Sequence, residues 1–87
     1  MNQPSNLTGG WSDAKITDEL KNAAEYAVDE LNPSAKLHAI LLAKMQIVSG
    51  INYELHITLD NGEVWKVVVY RSLKNDYQIT RSAKLQP

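Results

Sequence analysis

His38 and His56 are the only imidazoles in this 87-residue chain, and it contains no cysteine. A thiol nucleophile, a disulfide and a thiolate metal site are therefore excluded, so stability rests on packing and hydrogen bonds. Acid–base or nucleophilic catalysis needs a convergent set of donors and acceptors. The two histidines instead fall on polar faces of different extended segments, with no Ser or Asp partner beside either. A pair of imidazoles is also a poor metal site, since zinc takes three or four protein ligands. No enzymatic activity and no cofactor are expected. What remains is recognition. Ile47 and Val48 lie beside Ser49 and Gly50, and Leu73 precedes Lys74, so apolar side chains stand where chain reversals normally carry polar ones. Narrow apolar tips of this kind suit insertion into a cleft. The competing reading is that Ile47 and Leu73 merely end their strands in the core.

The scaffold that must hold these tips has room for one modest core, burying about 60% of the surface exposed by its unfolded form. Ile16, Leu20, Ala23, Ala24, Ala27, Val28 and Leu31 recur at helical spacing and predict one amphipathic helix from Asp18 to about Asn32. Thr17 is its expected N-cap, Asp18 and Glu19 complement the positive end of the dipole, and Pro33 forbids easy continuation.

Beyond Ala35 the period becomes two. Leu37, Ala39, Leu41, Ala43, Met45 and Ile47 are expected on one face of a long strand, with Lys36, His38, Lys44 and Gln46 on the other. Ile51, Tyr53, Leu55, Ile57 and Leu59 alternate cleanly with polar residues in the next. Asn61-Gly62 reads as a two-residue type I′ hairpin turn, with positive φ at both positions. A third long strand then runs from Glu63 to about Arg71, with Trp65, Val67 and Val69 on one face. A polar turn at Lys74 to Asp76 leads to a last strand from Tyr77 to about Lys84.

Topology relates the loops to one another. In an antiparallel meander alternate turns share an edge, so the Val48–Gly50 and Leu73–Asp76 turns should be neighbours, with Asn61-Gly62 opposite. The short link from Pro33 to Ala35 brings the helix start to the same edge. Residues 1–10 are polar, contain Pro4 and close on Gly9-Gly10, and read as a flexible N-terminal arm before a single domain over 11–87. Arm and loops should thus converge on one rim.

These segments resemble a known family. Gln46-Ile47-Val48-Ser49-Gly50 is similar to the Gln-x-Val-x-Gly first-loop motif of the cystatins, and Ile51-Asn52-Tyr53 continues as those proteins usually do. Gly9-Gly10-Trp11-Ser12 resembles the family's N-terminal glycine segment. The stretch from Ala24 to Asn32 resembles the helix signature of plant cystatins, and Tyr70-Arg71-Ser72-Leu73 the second-loop approach of stefins. The matches run in family order from Gly9 to about Thr80. The resemblance implies an α+β cystatin-type fold, one α-helix packed on a wrapped antiparallel sheet in the order β-α-β-β-β-β, with Trp11 to Ala14 as a short first strand. It also implies reversible, competitive inhibition of papain-like cysteine proteases, papain and cathepsins among them, by a wedge of arm and loops.

The protease-binding residues implied are Leu7, Thr8, Gly9, Gly10, Gln46, Ile47, Val48, Ser49, Gly50, Leu73 and Lys74. Leu7 would anchor an apolar subsite, and Val48 would lie near the catalytic cysteine. Lys74 departs from the family, since stefins often carry Pro there and plant cystatins Trp, so the second loop leans on Leu73. The alternative is a cystatin-fold scaffold whose loops recognise a non-protease protein. A monomer is expected, with exchange of the helix-bearing hairpin at Val48–Gly50 as a route to a swapped dimer.

Charge narrows the partners. The formal net charge is -1 and the nine Lys and Arg residues are dispersed, which argues against nucleic acid and anionic membranes. No apolar run approaches the roughly 20 residues that span a bilayer. Met1 to Gly10 lacks a secretory pattern, so the expected setting is the cytoplasm, or secretion after signal removal.

Overall fold

In the computed structural model, which describes residues 10–86, helix α1 runs Asp18–Leu31 and starts where the sequence predicts. The Thr17 side chain accepts the Leu20 amide at 3.2 Å, which satisfies a donor that the first turn leaves without a partner. At the far end the Asn32 amide donates to the Val28 carbonyl at 2.8 Å, so Asn32 is the C-cap rather than the last helical residue. The buried face is Leu20, Ala23, Ala24, Ala27 and Val28. Its three alanines leave little between helix backbone and sheet, so the two pack closely. Thr17→Ala is expected to cost about 1 kcal/mol, read as a lower urea midpoint with an unchanged slope.

Five strands form one antiparallel sheet in chain order: β1 Trp11–Asp13, β2 Leu37–Val48, β3 Gly50–Leu59, β4 Val64–Arg71 and β5 Tyr77–Gln86. The α+β architecture is therefore the expected one. Tyr53, Leu55, Ile57 and Leu59 of β3 and Val67 and Val69 of β4 are buried together with the helix face. Each fully buried Leu, Ile or Val contributes ~1.5–3 kcal/mol relative to exposure. The short β1 pairs with β2 through Trp11↔Gln46, Ser12↔Met45 and Asp13↔Lys44.

Strand β2 departs from the simple alternation. Its pairing with β3 steps from Leu37↔Leu59 to Ala39↔Thr58, and from Ile40↔Ile57 to Leu42↔His56. Each step inserts one extra residue into β2, a β-bulge, and each bulge reverses which parity faces the core. The core-facing residues are consequently Leu37, Ile40, Ala43 and Met45. Ala39 and Leu41 are not on that face as expected, and Leu41 is 62% exposed.

The β3–β4 turn also differs from the two-residue form. Gly62 donates its amide to Leu59 and the Leu59 amide donates to the Glu63 carbonyl, enclosing three loop residues. Only Gly62 has positive φ, at 92°. This is a three-residue loop closed by a glycine bulge, not type I′.

Glu63 fastens this end of the fold. One carboxylate oxygen accepts the Trp65 indole N–H at 2.9 Å and the Asn32 amide at 3.4 Å, while the other lies 3.4 Å from the Lys84 ammonium. The Trp65 bond above all, then those from Asn32 and Lys84, holds this carboxyl below the usual carboxylate range. A depressed folded-state pKa stabilises the fold above the unfolded value, near pH ~4.3, and that contribution disappears as pH falls through the folded value. Glu63→Gln keeps an acceptor for the indole but cannot titrate. Thermal melts between about pH 5 and 3 should therefore fall less steeply for the variant than for the parent.

Candidate functional site

The first loop is built on the least possible turn. Val48 and Gly50 are paired residues of β2 and β3, leaving Ser49 alone between them. Such a reversal requires an unusual backbone, and Gly50 has φ of 109°, a region side chains rarely adopt. A second constraint lies behind it. A Cβ at position 50 would stand 2.5 Å from the Arg71 carbonyl and 2.8 Å from the Tyr70 hydroxyl, so β4 leaves no room for one. Below the turn, the Asn52 side chain donates to the Gln46 side-chain oxygen at 2.8 Å and ties the two strands at the base of the hairpin.

The second loop has the same form as the Asp60–Gly62 turn. The Asn75 amide donates to the Ser72 carbonyl at 2.9 Å and the Ser72 amide to the Asp76 carbonyl at 2.8 Å, enclosing Leu73, Lys74 and Asn75. Asn75 takes the left-handed position, with φ of 67°, which asparagine tolerates better than most residues. The Ser72 hydroxyl oxygen accepts the Lys74 and Asp76 amides, each at 3.1 Å. This loop is thus closed largely by its own residues.

The two loops are neighbours, as the meander requires. The Tyr70 hydroxyl donates to the Ser49 carbonyl, and Ile47, Val48 and Gly50 share a notch of about 260 Å³ with Ser72, Leu73 and Asn75. Ile47 is 64%, Val48 42% and Leu73 78% exposed, so these residues do not close the core as the competing reading supposes. The helix start reaches the same end, with Glu19 3.9 Å from the Arg71 guanidinium. Gly10 precedes Trp11, which is paired with Gln46 only two residues from Val48. Gly10, Gln46, Ile47, Val48, Ser49, Gly50, Leu73 and Lys74 are thereby gathered at one end of the sheet, while Leu7, Thr8 and Gly9 lie outside the described residues.

Other places on the surface offer less. A groove of about 400 Å³ on the sheet face away from the helix includes Trp11, Glu54, Lys66 and Arg81. The Glu54 carboxylate there lies 3.4 Å from Lys66 and 3.9 Å from His56, so it is occupied by its own neighbours. His38 sits at the first bulge of β2 while His56 faces Leu42, and the register does not bring the imidazoles opposite each other. Among the described residues no group of three or more His, Asp or Glu side chains is placed to hold a metal ion.

Two residues of this end, Tyr70 and Ser72, fall in the segment that resembles the second-loop approach but were not among the site residues the sequence implied. Tyr70 reaches a partner 21 positions away, for which no local pattern exists. Ser72 was recoverable, since a serine two residues before a turn amide commonly caps that turn.

Comparison with known proteins agrees with this arrangement. The Cystatin domain model matches residues 9–84. Over 58 residues, 59% of the chain, the sequence is 40% identical to L-cystatin of Tachypleus tridentatus, and the matched part is 44% of that protein. The chain thus spans less than half the length of the curated relative it matches. With a family match over nearly all of its described residues and one helix packed on five antiparallel strands, the chain belongs to the cystatin family.

Proposed function

We propose that this chain is a reversible, competitive inhibitor of papain-like cysteine proteases. Its N-terminal arm, residues 1–10, and the two hairpin loops of the domain over 11–87 enter the active-site cleft together as a wedge. The observation that carries this reading is the pairing of exposed apolar tips, Ile47-Val48 and Leu73, across one narrow notch. Exposed apolar side chains clustered in this way gain most from a hydrophobic cleft, where a few anchors supply most of the affinity. Such an interface buries on the order of 1,600 Å² in total.

The geometry also favours occupation without cleavage. A protease cuts a peptide held extended across its nucleophile, and catalysis depends closely on that alignment. The Val48–Gly50 backbone is a reversal, pinned by a glycine at φ of 109° and by the Tyr70 hydroxyl, and it offers no extended bond. The tip therefore fills the cleft while withholding a scissile bond. The protein works as a monomer in this reading, because straightening the first turn for hairpin exchange would erase the tip.

Titration against papain and two lysosomal cathepsins, fitting residual peptidase activity for tight competitive binding, tests the proposal. Saturable inhibition at submicromolar concentration is expected. No inhibition at tens of micromolar by folded monomer would favour the scaffold reading, in which the same loops recognise a non-protease protein.

A further inference from the structure

Three consecutive residues of β4 and its exit hold three separate parts of the rim. Tyr70 donates its hydroxyl to the Ser49 carbonyl at the tip of the first loop. Arg71 lies 3.9 Å from Glu19 in the first turn of the helix. Ser72 accepts the Lys74 and Asp76 amides and closes the second loop. Of these, the Tyr70 contact is the one that crosses from one loop to the strand leading into the other.

We propose that Tyr70 is a positioning residue for the wedge: its hydroxyl clamps the first turn to β4 and so fixes the separation of the two apolar tips. The inference rests on the inhibitor reading above. It arises from a division of labour within one side chain. The tyrosine ring lies against Gly50, where even a Cβ would come within 2.9 Å of the ring edge. A phenyl ring would fill that space equally well, so the hydroxyl is not needed for packing. What the hydroxyl adds is a direct bond to the one residue between β2 and β3. Without it, Ser49 is held among the described residues only through its two covalent neighbours, and the exposed turn can rock about the Val48↔Gly50 pair.

A turn that rocks costs affinity without costing fold. Two tips that must enter one cleft together bind only while their spacing is correct, and the apparent dissociation constant rises in inverse proportion to the fraction of time so spent. The global fold depends little on an exposed hydrogen bond at a hairpin end.

Tyr70→Phe tests this through three measurements on the full chain. The expected result is an unchanged melting temperature, faster motion of the Ser49 and Gly50 amides, and inhibition of papain weaker by about tenfold. The motion is read by nitrogen-15 relaxation, as order parameters falling from about 0.85 towards 0.6. Weaker inhibition with a rigid turn would overturn the proposal, because the hydroxyl would then be touching the protease rather than the loop. A mobile turn with undiminished inhibition would overturn it as well, as would no change in either. If the parent protein itself fails to inhibit papain or cathepsins, the inhibitor reading falls. The relaxation data then decide alone whether Tyr70 fixes the turn: a rigid turn in the variant overturns that role and a mobile one supports it.

Discussion

Val48→Asp is expected to weaken inhibition of papain-like proteases by at least ~30-fold while leaving the melting temperature nearly unchanged. Central apolar anchors of an interface cost about 2 kcal/mol or more when truncated, which is the origin of that factor. A carboxylate does more than truncate, since it replaces an apolar anchor with a charge that must be stripped of water to enter the cleft. The fold should not register the change. Val48 is exposed at the tip, and the buried set of Leu20, Leu55, Ile57, Val67 and their neighbours does not include it. Circular dichroism melts beside inhibition titrations separate the two effects. A variant that loses stability in proportion to potency would place Val48 in the core instead.

Gly50→Ala should strike stability and function together, lowering the unfolding free energy by about 2–6 kcal/mol. Backbone strain at such a φ costs ~1–3 kcal/mol, and forcing a methyl group against packed neighbours costs a further ~1–3 kcal/mol. The neighbours are the Arg71 carbonyl at 2.5 Å and the Tyr70 ring and hydroxyl, so relief requires β4 to move away from the turn. Gly62→Ala supplies the comparison. Gly62 also has positive φ, at 92°, but a Cβ there would meet nothing within 4 Å. It should carry the backbone strain alone, so the difference between the two variants in urea denaturation isolates the close approach of the hairpin to β4. Equal losses would show that the crowding is relieved at no cost.

Much of this arrangement could be read in the sequence, for reasons that are local. The helix declares itself through a 3.6-residue period with Thr17 before it and Pro33 after. Strand β3 alternates without interruption because one face is core and the other is not. Given three hairpins in succession, the nearness of the first and third turns follows from direction alone.

What escaped was non-local or ambiguous. From Leu37 to Ala43 only His38 is polar, so apolar residues occupy both parities and nothing in composition marks where the two bulges fall. Asn61-Gly62 fits either of two hairpin loops, and the choice depends on which residues of the flanking strands pair. Strand β1 is three exposed residues with no alternation to detect, and only the family resemblance supplied it. The Gly50 requirement was visible as turn chemistry, but its second cause, the approach of β4, joins residues 20 apart and exists only in three dimensions.

The second loop has a consequence for how such a molecule diversifies. It is closed by the backbone and hydroxyl of Ser72 and by the left-handed turn at Asn75, so the fold makes no demand on the side chains at 73 and 74. Those two positions are free to drift. A lineage can therefore sample new tips there one substitution at a time, with every intermediate still folded, while the Gly50 tip stays locked against β4. The rim thus joins a half that the fold constrains to a half that it leaves open, and change at the second loop does not put the first at risk.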